Sequence, residues 1–598
     1  EKNVALANYH DLYQWSVDND ESFWSMVWDY FDVIGEKGST VVTDKEKMPG
    51  AKWFPEAKLN FAENLLRHKD DHIALIFRGE NGVRQQLTYA ELNHEVAAFA
   101  AGLRQRGVEA GDRVAAMMPN CIETIIGMLA TTSIGAIWSS CSPDFGVQGV
   151  LDRFGQIEPK VLITVDGYFY NGKNLNIKSK TADIIKEIKS IEATVVVNFS
   201  QQKDRLKGEN VFAWNDFGDA EQTQIDFVPR NFNDPLYIMF SSGTTGVPKC
   251  IVHGTGGTLL QHVKEHGLHT DLDRDDNLFY FTTCGWMMWN WLVSGLAVGA
   301  TLTLFDGSPF APEPEFLWDV ADEEGITVFG TSAKYLAALE KADVKPRESH
   351  NLEKLRSILT TGSVLPPESF DYVYRDIKKD LCLSSISGGT DIVSCFALGC
   401  PILPVYRGEL QCRGLGLAVN VYDDNGKPVR GEKGELVCEN SFPCMPVSFW
   451  GDDDGERYYN AYFARFENTW AHGDFAELTQ HDGVIIYGRS DAVLNPGGVR
   501  IGTAEIYRQV EKVDEVLESI AIGQQYHDDE RVVLFVKLRE GIELNDELRQ
   551  TIAKTIRANA TPRHVPAVIL QVDDIPRTIS GKIVELAVRN VVHGEPVK

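Results

Sequence analysis

Residues 237–249 read "YIMFSSGTTGVPK", an apolar run that breaks into Ser, Gly and Thr and closes on a lysine. The apolar part has the length and composition of a buried strand. The loop after it is rich in hydroxyls and in glycine, which permits positive φ and a close backbone approach. Such a loop at a strand end can turn its amides and hydroxyls onto phosphate oxygens, and Lys249 adds a mobile cation. Gly243, Gly246 and Lys249 stand in a GxxGxxK arrangement. A Walker A loop needs GxxxxGK[ST], so the P-loop NTPase reading fails on spacing. By composition alone the segment reads equally well as a flexible surface turn.

Outward from this stretch, strand-like runs recur with helical segments between them: "RVAAMMP", "KVLITVD", "ATVVVNF", "LFYFTT", "ATLTLFD", "ITVFGTS" and "LRSILTTG". The alternation predicts an α/β architecture with mostly parallel sheets. From about Gly408 the texture changes, and Asn425-Gly426 between two alternating apolar runs predicts a hairpin in a small β subdomain. The segment after "YGRSD" reads as a small α+β C-terminal domain, and "WSVDNDESFWSMVWDYF" near the start as one amphipathic helix covering the main body. The chain has 598 residues, too many for one core, and a net charge of −28 that disfavours nucleic acid and anionic membranes. Its ten cysteines lack CxxC spacing and read as buried reduced thiols, which points to the cytoplasm. The uncharged stretch Thr124 to Pro143, rich in Thr, Ser and Gly, predicts a buried helix running into a strand, not membrane insertion.

Five further motifs follow the hydroxyl-rich loop in order: "TTGSVLPPE" (Thr360 to Glu368), "SISGGTD" (Ser385 to Asp391), "HGDFAEL" (His472 to Leu478), "YGRSDAVLNPGGVRIGTAEI" (Tyr487 to Ile506) and "PRTISGKI" (Pro576 to Ile583). Together they resemble the acyl-adenylate-forming superfamily of acyl-CoA synthetases, luciferases and peptide-synthetase adenylation domains. The likeness spans nearly the whole chain. "WFPEAKLNFAENLL" and "GWMMWNWLVSGLAVGATLTLFDGSP" are most similar to acetyl-CoA-synthetase-like members that activate acetoacetate. The resemblance implies an N-terminal helical cover over 1–75, an AMP-binding adenylation domain over 76–489, and a small mobile C-terminal domain over 490–598 that carries a catalytic lysine.

It also implies the chemistry. A carboxylate attacks ATP to give an acyl-adenylate and pyrophosphate, and coenzyme A then displaces AMP. Bringing anions together needs Mg²⁺ and cations aimed at the developing charge. By resemblance Lys582 does this in the first step. Ser241, Thr244, Thr245 and Lys249 belong to the phosphate loop, Thr244 and Thr245 cradling the β- and γ-phosphates, while Gly362, Ser363 and Val364 line the adenine pocket. Gly388, Gly389 and Thr390 lie along the nucleotide, with Thr390 at the α-phosphate. Asp391, in place of the more usual glutamate, would hold Mg²⁺. Asp474 and Arg489 would meet the ribose hydroxyls, and Arg500 the phosphates. Asp491 marks the hinge, followed by Ala492 where the family often has a second acid. Arg557, Gly497 and the weaker candidate Lys173 would meet coenzyme A. Residues 549–598 carry eight Lys/Arg against four Asp/Glu, a net of +4 in an acidic chain.

Where acetyl-CoA synthetases carry a pocket-closing tryptophan, aligning Thr390-Asp391 places Gly388. The implied hole would take a longer acid, with Trp286, Met287, Met288 and Trp289 as walls and Ser387 or the Gly388 and Gly389 amides as donors to a ketone. Another short or medium acid such as propionate or butyrate is the competing reading, and a non-catalytic nucleotide sensor the reading from another class. His262, His266 and His269 in "QHVKEHGLH" lack the HExxH pattern and a third ligand and read as helix-face histidines, not a zinc site. No GxSxG elbow is present, which disfavours a serine hydrolase.

Overall fold

The computed structural model describes residues 6–241, 248–362, 364–365, 367–423, 425–490, 494–498, 501, 503–510, 512–527, 529–576 and 585–595. All eight apolar runs form strands, four in each of two large sheets. In the eight-stranded sheet Val161–Val165, Arg113–Met117, Ile137–Cys141 and Pro235–Ser241 are parallel neighbours. In the seven-stranded sheet Cys382–Ser385, Ser357–Thr361, Val328–Ser332, Asn277–Tyr280, Thr301–Asp306 and Ile73–Gly79 run parallel in that order. Most residues of these strands are buried, as expected for strands covered on both faces. Each carboxyl end opens where ligands bind in such folds.

Ile122–Ser133 is a buried helix leading into Ile137–Cys141, as its composition predicts. A four-stranded antiparallel sheet, Val419–Tyr422, Lys433–Cys438, Trp470–Leu478 and Val484–Arg489, follows the parallel part. The last segment pairs Val516–Tyr526, Asp529–Leu538 and Val568–Gln571 over a core of its own that includes Ile506, Leu534 and Ile552.

One expectation is corrected. The N-terminal amphipathic segment is two helices, Tyr9–Asp18 and Asp20–Tyr30, not one. Asn19 leaves helical geometry at φ −126 and ψ 43, and its amide side chain donates to Trp15 O at 3.2 Å. Asparagine competes in this way for backbone partners and breaks helices. The second helix still buries Phe23, Trp24, Val27 and Trp28 against the main body.

Candidate active site

The candidate residues sit on strand ends and in the turns that follow them. Ser241 closes Pro235–Ser241 and is registered opposite Lys249, the first residue of Lys249–Gly254. Thr244, Thr245, Ser363, Arg500, Lys582 and Asp491 lie outside the described residues, as does the Arg489 side chain. The Ser241 hydroxyl is buried and has no hydrogen-bond partner among the described residues.

Across the cleft, the short strand Ser387–Gly389 and the turn after it bring Thr390 and Asp391 to Lys249. The Lys249 ammonium lies 3.7 Å from Asp391 Oδ1, and the Tyr462 hydroxyl donates to the same oxygen at 2.6 Å. Lys249 also sits 5.3 Å over the Tyr462 ring, which stacks at 3.8 Å on Trp470. Asp391 is a hard oxygen donor. Among the described residues no group of three or more His, Cys, Asp or Glu could hold a metal ion. A lone carboxylate would suit a hard cation that takes most of its oxygen ligands from outside the protein.

Asp474, 2 % exposed, lies 3.6 Å from His472 Nε2. That nitrogen donates to Gly388 O at 3.2 Å. The Gly473 amide donates to the buried Glu435 carboxylate at 2.5 Å, which fixes the backbone next to Asp474. His253 Nε2 donates to Thr390 O at 2.8 Å. Burial pushes the His253 imidazole down to about 4, against the pull of the Thr390 carbonyl and Asp391. It is therefore neutral near pH 7, with its proton on the nitrogen facing the carbonyl.

The adenine-side and C-terminal candidates meet. Gly362 adopts φ +90, and a Cβ there would lie 3.1 Å from Gly498 O, so the loop after Ser357–Thr361 packs backbone to backbone on the glycine turn Pro496–Gly498. Gly497 stands beside Lys334, whose ammonium pairs with Asp529. Val364 is exposed at the rim. Arg557 is exposed on helix Asp546–Asn559, whose end accepts the Gly146 amide at Ala560 O, 3.2 Å away. Lys173 sits apart on an exposed hairpin. The Glu80 carboxylate holds that hairpin by accepting from the Asn171 and Gly172 amides, both at 2.9 Å.

Two expectations for the acyl pocket change. A Cβ on Gly388 would lie 2.0 Å from Ser394 O and 2.5 Å from Cys395 Cα. The strand bulges between Ser387 and Gly388, so the missing side chain points into the neighbouring strand, not into open space. Glycine here serves close strand pairing, and a side chain added at this position would meet that strand first. Trp289 is fully buried, stacks at 6.2 Å on Trp138 and donates to Asn120 Oδ1 at 3.0 Å. Its ring belongs to the core beneath the site. Met287 and Met288 are buried at the start of Met287–Val293. Trp286, half-buried, carries the Arg563 guanidinium 5.5 Å over its ring.

His262, His266 and His269 are fully buried among carbonyls, consistent with neutral structural histidines. Nε2 of His262 donates to Val393 O at 2.6 Å and Nε2 of His266 to Trp291 O at 2.7 Å, while Nδ1 of His269 donates to Gly399 O at 3.0 Å. Burial pushes His266 and His269 down to about 3. Between the unfolded value near 6.5 and these folded values, the unfolded chain binds protons that the fold excludes. Stability is therefore full above about pH 6.5 and falls as pH drops, by about 1.4 kcal/mol per unit for each such histidine. Urea midpoints measured from pH 7.5 to 5 should decline steeply below about 6.5, and His266→Asn should shallow the slope. A flat profile would contradict the neutral assignment.

Sequence reasoning missed Tyr462, His253, Glu435 and Arg563. Tyr462 is 71 positions from Asp391, and nothing local to either residue announces the pairing.

With this geometry in hand, the comparisons are decisive. The AMP-binding enzyme family model matches residues 61–443, the acetyl-coenzyme A synthetase N-terminus model 9–65, and the AMP-binding enzyme C-terminal domain model 505–582. An acetoacetyl-coenzyme A synthetase of Rhizobium meliloti (strain 1021) is 58% identical over 99% of this chain and 92% of its own. The chain belongs to the acetoacetyl-CoA synthetase family of AMP-binding enzymes. The relative from Gallus gallus is 46% identical over 100% of this chain and 91% of its own. The solved acetoacetyl-CoA synthetase of Streptomyces lividans superposes with a TM-score of 0.80 at 42% identity, covering 99% of this chain and 91% of that one.

Proposed function

We propose that this chain is an ATP-dependent acid–thiol ligase that activates acetoacetate as acetoacetyl-adenylate, releasing pyrophosphate, and transfers the acyl group to coenzyme A with loss of AMP. The observation that carries this reading is the full-length 58% identity to an acetoacetyl-CoA synthetase. The approach of Lys249 to Asp391 beside Thr390, and the His472 tie between Asp474 and Gly388, support it.

In the first half-reaction, Lys249 and the hydroxyl-rich loop meet the triphosphate, and Asp474 accepts hydrogen bonds from the ribose hydroxyls. Asp391 would hold a Mg²⁺, which would supply neutralisation of phosphate charge. Tyr462 and Lys249 hold that carboxylate in place, so the ammonium balances Asp391 until the polyanion arrives. Lys582 faces the charge that develops as the acid's carboxylate oxygen attacks the α-phosphorus and pyrophosphate departs. In the second half-reaction, the coenzyme A thiol gives up its proton to water, its sulfur bonds to the acyl carbon, and AMP leaves with the electron pair of the broken mixed-anhydride bond. Gly497 lines the coenzyme A approach, Arg557 meets its phosphates, and Lys173 lends weaker support. Asp491 is the hinge on which the C-terminal unit exchanges Lys582 for the Pro496–Gly498 turn.

Nine of the ten cysteines are buried and all are free thiols, which supports a reducing cytoplasmic setting. No helix among the described residues is long and apolar enough to cross a membrane.

The test is coenzyme-A-dependent AMP formation from MgATP with acetoacetate, acetate, propionate, butyrate and 3-hydroxybutyrate at equal concentration. Acetoacetate should lead by about tenfold or more, as expected where a site hydrogen-bonds a ketone that the plain acids lack. Preference for a plain alkanoate would overturn the substrate and leave the ligase. No AMP with any acid would favour a nucleotide sensor.

A further inference from the structure

The gap between Met287–Val293 and Ser387–Gly389 is not the space of a deleted side chain, because Gly388 points into its neighbouring strand. Its width is therefore a matter of how far apart two backbone elements are held. One buried carboxylate touches the helix and the strand Ser394–Leu398 that pairs with Ser387–Gly389. Glu265 begins the π-helical turn Glu265–His269 that continues helix Thr255–Lys264, a local geometry often found at functional sites. Its side chain is fully buried. Oε2 accepts from Trp291 Nε1 at 2.8 Å, on the helix that starts with Met287 and Met288. Oε1 accepts from Ser394 Oγ at 2.6 Å and from the Cys395 amide at 3.2 Å. Cys395 and Ser394 are registered opposite Gly388 and Gly389.

We infer that Glu265 is a positioning residue for acid selection: through Trp291 on one side and Ser394–Cys395 on the other, it fixes the separation of the two walls that receive the acyl chain. This rests on the proposed placement of the acid between those walls.

A second tie runs parallel to the first. His262 Nε2 donates to Val393 O at 2.6 Å, while its Nδ1 accepts from Ser294 Oγ at 2.7 Å in the turn that continues the Met287–Val293 helix. Val393 is held at φ +51, a left-handed conformation that a β-branched residue adopts only under constraint. Apolar side chains of similar volume could fill this space at little cost in stability. They would also let helix and strand slide. A carboxylate with directional donors on both elements sets their spacing, and acids that differ by one ketone are told apart only if that spacing is kept.

Ser394→Ala removes the shortest contact by deleting one hydroxyl and leaves Glu265 its other donors. It should raise the KM for acetoacetate about tenfold, with kcat and the KM for MgATP held within about twofold. The preference for acetoacetate over butyrate should shrink by a similar factor. Glu265→Gln, which cannot accept from Trp291 while its carbonyl serves Ser394, should move the same constants in the same direction. It carries the prediction if Ser394→Ala melts below the assay temperature. Both KM values and kcat shifting together would overturn the inference. So would an unchanged acid KM in both variants, or a failure of both to fold, which would make the network a stability element. The wild-type acid panel keeps the two proposals apart: a wild type that prefers an alkanoate defeats acetoacetate as substrate, and the KM split for that alkanoate still judges the brace.

Discussion

With Lys582→Ala, pyrophosphate release from ATP and acetoacetate falls about a thousandfold, the upper range for losing one charge-stabilising group. Thioester formation from supplied acetoacetyl-adenylate stays within about threefold. The asymmetry follows from the two charge problems. In the first step an anionic acid must approach a triphosphate inside a chain of net charge −28. A cation placed where negative charge accumulates therefore lowers the transition state more than the ground state. In the second step the adenylate carries one phosphate charge, and the mixed anhydride is already activated. The proposed role of Lys582 is therefore confined to the first step. Separate assays of the half-reactions, one following pyrophosphate and one following acetoacetyl-CoA, read the two effects independently. An equal loss in both would remove Lys582 from its assigned role.

The strands were legible because largely apolar runs of six to eight residues between helical segments allow few other readings. Their division into two sheets was not. Ile73–Gly79 lies between Thr301–Asp306 and Arg84–Thr88, an arrangement decided by contacts more than two hundred residues apart in sequence. The same divide separates the site residues. Asp391, Asp474 and Lys249 sit in motifs whose order along the chain identifies them. Tyr462, His253 and Glu435 act through partners on other elements and carry no local signal. Gly388 shows how an aligned position misleads. Its place in the motif suggested vacated volume, but a bulge one residue earlier turns its missing side chain into the neighbouring strand.

The buried network around Glu265 yields the largest stability effect expected here. Glu265→Ala should lower the free energy of unfolding by about 3–5 kcal/mol, the range for removing one partner from a buried charged cluster. Four donors lose their acceptor at once: Ser394 Oγ, the Cys395 amide, Gln261 Nε2 and Trp291 Nε1. Lys264, equally buried, loses the carboxylate 3.9 Å from its ammonium. It keeps Leu415 O at 3.2 Å and the Trp24 ring at 5.7 Å. Burial already holds the Lys264 ammonium below the usual lysine range, so without Glu265 it would shed its proton before it stayed charged in that space. Lys264→Met should cost less, about 1–2 kcal/mol, because the carboxylate keeps its four hydrogen-bond donors. Arg407→Ala, which breaks an exposed contact with Asp371 at 2.9 Å, should leave the unfolding midpoint nearly unchanged, because solvent screens such a pair. Urea unfolding followed by tryptophan fluorescence ranks the three variants. All twelve tryptophans lie at or before Trp470, so the signal reports the part of the chain that contains Glu265 and is blind to the three-stranded C-terminal unit. If Glu265→Ala unfolded no more easily than Arg407→Ala, the carboxylate would be dispensable for holding helix and strand together, and its role in spacing them would fall with it.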